Sequence, residues 1–144
     1  MVFAHLVSKA ACFGGSAPRL SAAEQTISCP PELPPEALKI AERGDGWKPF
    51  VGSPLYLHDA APIAAPPERL GTIMGKMQKR GKNEWTETYQ LDVGYPEGVW
   101  FQCAYGESNS HTLAKKLDAS IKSCVVKGKA GSKFGQNIFD IRCS

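Results

Sequence analysis

Apolar and polar residues alternate with a period of two in five separate stretches of this chain, the signature of strands with one buried face. In "EALKIAER" (36–43), Leu38 and Ile40 fall on one side and Lys39 on the other. "SPLYLHD" (53–59) sets Leu55 and Leu57 against Tyr56 and His58. In "EWTETYQLDV" (84–93), Trp85, Tyr89, Leu91 and Val93 share a face that Glu87 alone interrupts. "VWFQCAY" (99–105) turns Val99, Phe101, Cys103 and Tyr105 inward, and "NIFDIRC" (137–143) does the same with Phe139, Ile141 and Cys143.

Turn signals separate these runs: "RGDGW" (43–47), "DAAPIAAPP" (59–67), "VGYPEG" (93–98) and "GKAGSKFG" (128–135). The short "GYPEG" connection predicts a hairpin between 84–93 and 99–105. One stretch reads both ways. In "SHTLAKKLDASIKSCVV" (110–126), Leu113, Leu117 and Ile121 recur every fourth residue, which predicts a short helix or helical turn around 118–123 between strands. The expected fold is all-β or mainly β, with at most one short helix. It is an antiparallel sheet or sandwich of about six to eight strands.

Composition supports this and narrows the partner. Eleven prolines and fourteen glycines suit strands joined by many turns. The formal charge of +3 is concentrated outside the patterned region: residues 1–23 hold Lys9 and Arg19 and no acid. Without them 15 basic side chains face 14 acidic ones. So even a balance argues against nucleic acid, which needs a concentrated basic face. The one basic run places Lys76, Lys79, Arg80 and Lys82 together, and Glu84 and Glu87 follow it. It reads as a solvated strand end or turn, or as a patch for anionic groups of the cell envelope.

Residues 1–25 read as an export leader or a disordered segment, ahead of a single antiparallel β domain over 26–144. Ser21-Ala22-Ala23 is a small-residue cleavage site, although Ser8 and Lys9 interrupt the apolar run a signal needs. No stretch approaches the roughly 18 consecutive apolar residues of a spanning helix.

With Cys12 set aside in the leader, four cysteines remain: Cys29, Cys103, Cys124 and Cys143. Their gaps of 74, 21 and 19 residues do not fit zinc, whose ligands pair about two to four residues apart. No C-x-x-C redox motif occurs. An even count in a small, turn-rich, exported domain predicts disulfides. Of the three pairings available, the expected one joins Cys103 to Cys124 and Cys29 to Cys143. That would close one short loop and tie "TISC" to "FDIRC".

Catalytic signatures are missing. "GTIMGKM" is one residue short of a phosphate loop, and neither G-x-S-x-G nor H-E-x-x-H occurs. No cofactor or metal is implied. His58 next to Asp59 would point to opposite faces of a strand, so a hydrolase using His58 or His111 is the weakest reading. The loop "GESNSHT" (106–112) carries Glu107, Ser108, Asn109, Ser110 and His111, which suit recognition. Trp100 faces away from Cys103 and offers an aromatic anchor for a protein partner.

The motifs "ISCPPELP", "DGW", "PLYLHDAAPIAAPPERL", "WTETYQL" and "VWFQCAYGES", with paired late cysteines, resemble a family of small exported, mostly uncharacterised proteobacterial proteins. Some of these lie beside type VI secretion loci. The resemblance spans residues 26–143 and implies a periplasmic or secreted, non-enzymatic binding protein: an immunity or inhibitor protein whose partner is a secreted, envelope-targeting toxin. The Glu107–His111 loop and the 59–67 loop are the expected contacts, with Trp100. The alternative is an envelope protein holding peptidoglycan or lipid headgroups through Lys76, Lys79 and Arg80.

Overall fold

A computed structural model describes residues 24–79 and 81–144. Residues 1–23 of the expected leader, and Arg80 of the basic run, lie outside the described residues. Among the described residues there are nine strands: β1 Gln25–Ile27, β2 Glu32–Leu33, β3 Leu55–Ile63, β4 Lys76–Lys79, β5 Glu84–Gln90, β6 Trp100–Tyr105, β7 His111–Lys116, β8 Ser123–Ala130 and β9 Asn137–Cys143. They form two antiparallel sheets, ordered β1-β9-β8-β5-β4 and β2-β3-β6-β7. The all-β, disulfide-stapled architecture is as expected. The strand number exceeds the expectation because β1 and β2 span three and two residues, too few to leave an alternating pattern.

The two sheets share one core. In β6, Phe101, Cys103 and Tyr105 are 1%, 7% and 0% exposed, as alternation requires. Register supplies the facing layer: Tyr89 lies opposite Cys124, Cys124 opposite Cys143, and Val126 opposite Ile141, which meets Ile27 of β1. All six are buried. In β3 the register shifts between Leu57 and Asp59. Such a bulge lets Leu57 and Ala60, three positions apart, both face the core.

Three local expectations are overturned and a fourth is narrowed. "EALKIAER" is no strand: a 3-10 turn at Pro35–Ala37 leads into an irregular, mostly exposed segment, because no neighbouring strand takes up its backbone. The expected loop at 59–67 is largely strand, since β3 runs on through Pro62 to Ile63 and buries both. β5 and β6 do not form a hairpin. β5 pairs with β4 and β8, and β6 with β3 and β7, so "GYPEG" carries the chain between sheets and Val93 emerges 76% exposed. Of the short helix or helical turn expected around 118–123, only a tight turn forms. Asp118 Oδ1 accepts the Ser120 N–H at 2.9 Å and the Ser120 hydroxyl at 2.7 Å, an aspartate turn that competes with helix.

The disulfide pairing also differs: Cys29 joins Cys103, and Cys124 joins Cys143. Cys124 and Cys143 stand directly opposite on β8 and β9, with Cα atoms 4.0 Å apart. The segments "TISC" and "FDIRC" are brought together, but by β1 pairing with β9. Beyond Ile27 the chain crosses toward the other sheet, where Cys29 meets Cys103 on β6.

Candidate functional site

Four connections gather at one end of the sandwich. The β6–β7 loop begins at Gly106, whose N–H donates to the Tyr56 carbonyl at 3.0 Å. Its φ of +81° suits glycine. Asn109 turns the loop with φ +54° and donates its N–H to the Gly106 carbonyl at 3.0 Å. Glu107, Ser108, Asn109, Ser110 and His111 are all exposed. The Ser110 hydroxyl and His111 Nδ1 lie 3.0 Å apart.

The β8–β9 loop (131–136) lies against this one. A Cβ on Gly135 would stand 3.0 Å from Glu107 Cγ. His58, at the β3 bulge, clamps the same loop: its Nδ1 donates to the Gly135 carbonyl at 2.7 Å, and Asn137 Nδ2 donates to the His58 carbonyl at 2.7 Å. Gln136 Nε2 reaches the Pro31 carbonyl at 3.4 Å. Phe134, at the loop's tip, is 88% exposed. The β4–β5 turn adjoins, since the Ala130 N–H donates to the Asn83 carbonyl at 3.1 Å. Finally, Leu33 pairs with Leu55, so the long connection between β2 and β3 leaves from the same end.

The sequence-derived candidates therefore separate. Glu107 to His111 sit at this loop end, with Lys79 at the nearby tip of β4 and Lys76 further along that exposed edge strand. Trp100 does not join them. It starts β6, at the opposite end, half-buried between Ile63 and Lys116 in register. Its indole Nε1 is buried with no hydrogen-bond partner among the described residues. His58 has a structural role, holding a loop through its ring nitrogen. Phe134 and the aromatics of the β2–β3 connection escaped sequence reasoning. Their only signal is the placing of large apolar residues inside glycine-marked turns.

Two buried tyrosines hold the core, Tyr105 beneath the loop end and Tyr89 toward the far end of β5. Tyr105 is fully buried, and its hydroxyl donates to the Pro30 carbonyl at 2.8 Å; burial pushes its pKa above the ordinary 10.0. Tyr89 is pushed further up, by burial first and then by the hydrogen bond its hydroxyl donates to Glu87. For both, the folded chain keeps the proton that the unfolded chain releases above 10.0. The unfolded state then binds fewer protons, so stability falls as pH rises. The urea midpoint is expected to hold steady between about pH 8 and 9 and to drop steadily above about pH 10. A flat profile to about pH 11 would show that neither hydroxyl is protected.

Both disulfides fit an oxidising compartment. Among the described residues no helix is long and apolar enough to cross a membrane. No curated protein and no solved structure matches the chain. Residues 53–144 match the Type VI secretion system Tli immunity protein family. A protein of that description neutralises a type VI secretion toxin, so the partner is a toxin protein. The match covers well over half of the sequence, and the chain belongs to the type VI secretion system Tli immunity protein family.

Proposed function

We propose that the chain works in the periplasm and neutralises an envelope-targeting toxin by covering its working surface with the loop end. The observation that carries this is the convergence of the β6–β7 and β8–β9 loops on one rigid base. Glu107 packs on Gly135, His58 holds Gly135, and Phe134 projects 88% exposed. An inhibitor gains affinity when its contact loops are ordered before binding, because less conformational freedom is lost in the complex. Disulfides, a bulge and side-chain clamps supply that order here. Neither enzymatic groups nor a cofactor are needed for such a role.

The test pairs protection with affinity. Cells exporting the toxin to the periplasm should survive when this chain is co-expressed. A Glu107→Lys/Phe134→Ser variant should fold normally yet bind roughly 100-fold more weakly, as expected when a central aromatic contact is removed and a charge reversed. Full protection at wild-type affinity would place the contact elsewhere on the sandwich.

A further inference from the structure

The connection between β2 and β3, residues 34–54, contains no strand, only the 3-10 turn Pro35–Ala37. Connections this long inside a small domain are uncommon and usually functional. Here the segment folds back on itself. Gly44, Asp45 and Gly46 all have positive φ, and the Trp47 N–H donates to the Gly44 carbonyl at 3.1 Å. The two limbs then run side by side: Leu38, Lys39 and Ile40 line one depression with Pro49, Phe50 and Val51. Residues 39–50 are all exposed, with Ile40 at 51%, Trp47 at 77% and Phe50 at 83%. Large apolar side chains gathered in water without covering mark an interaction site.

Charge and position identify what covers them. Lys39, Arg43 and Lys48 are balanced by Glu36, Glu42 and Asp45, so the arm has no net attraction for an anionic membrane or a nucleic acid. Paired aromatics in an electrically neutral setting are the usual anchors of protein interfaces. The arm also rises from the loop end. Its base is the Leu33–Leu55 pair, and a Cβ on Gly106 would stand 3.6 Å from Leu55 Cδ2. The β6–β7 loop and the arm are therefore parts of one surface. The family match begins at residue 53, so nearly all of the arm lies ahead of the matched stretch.

We infer that the arm is the apolar anchor of the toxin interface, with Trp47 and Phe50 seated in an apolar depression of the toxin. This rests on the loop end being the toxin-facing surface. The experiment uses the full chain and the purified type VI toxin whose killing the wild-type protein prevents. Trp47→Ser/Phe50→Ser should weaken binding by at least roughly 100-fold, while Met74→Ser, at an equally exposed methionine between β3 and β4 (90% exposed), leaves it unchanged. Both side chains of the double variant project into solvent, so circular dichroism and the urea midpoint should match wild type. Unchanged toxin affinity in the arm variant, with wild type still binding, overturns the arm and leaves the loop end standing. The same holds if the variant instead loses binding to phosphatidylglycerol vesicles, which would assign the arm to a membrane. A wild-type chain that prevents killing yet does not bind the purified toxin sinks the loop-end reading itself.

Discussion

Replacing Cys29 and Cys103 together by alanine should lower unfolding stability by about 4 kcal/mol and abolish protection at growth temperature. The bond links residues 74 apart, and closing so long a loop removes chain entropy from the unfolded state worth ~4.5 kcal/mol. A domain of this size has only about 5–15 kcal/mol in all, so the loss takes it near its threshold. The bond also does something β pairing does not. β1 belongs to the five-stranded sheet and β2 to the four-stranded one, and Cys29 pins the chain between them to β6. Cys124 and Cys143, 19 residues apart and already opposed in a ladder of seven pairs, close a shorter loop worth ~3 kcal/mol. Urea unfolding of each double-alanine variant orders the two effects. A loss below about 1 kcal/mol for Cys29→Ala/Cys103→Ala would mean that packing alone holds the N-terminal segment.

The same cysteines show where sequence reasoning stops. Alternation locates the inward rows of β6 and β9 residue by residue, although Ala104 on the other face of β6 is buried as well. The even number and wide spacing of the four cysteines point to disulfides, and all four are bonded. Alternation could not say which sheet a strand joins. The "GYPEG" turn looks like a hairpin because the separation is short, yet a short connection serves equally well for crossing between sheets. The expected Cys103–Cys124 bond rests on its short loop and Cys29–Cys143 on joining "TISC" to "FDIRC", and neither argument says which cysteines stand opposite each other, as Cys124 and Cys143 do. β3 failed for a different reason: its bulge breaks the period of two, so Asp59 to Ile63 looked like turn. The loop end was half legible. Glu107 to His111 stand out as a polar loop behind a buried strand, whereas their contact with Gly135 depends on tertiary packing that no local pattern encodes. Trp100 follows the same logic, since facing away from the core does not say which end of the sandwich a residue occupies, and Trp100 stands at the end opposite the loops.

Tyr105 offers the sharpest separation of packing from hydrogen bonding at that surface. The side chain is fully buried, at the last position of β6 before the candidate contact loop, and its hydroxyl reaches across to Pro30 beside Cys29. Tyr105→Ala should cost about 3–5 kcal/mol, the loss of a buried aromatic plus the cavity left behind. Tyr105→Phe keeps the ring and loses one neutral hydrogen bond. Pro30 is exposed, so its carbonyl can turn to water, and the cost should be only about 1 kcal/mol. The two variants should part further in binding. The Gly106 N–H is fixed to the Tyr56 carbonyl directly after the ring, so emptying the space beneath it frees the loop that Glu107 leads. Tyr105→Ala should then bind toxin more weakly even below its unfolding temperature, while Tyr105→Phe should bind like wild type. The phenylalanine variant should also lose less stability above about pH 10, because one of the two protected hydroxyls is gone. Equal binding by the alanine and phenylalanine variants would show that the loop holds its shape through Gly135 and His58 alone.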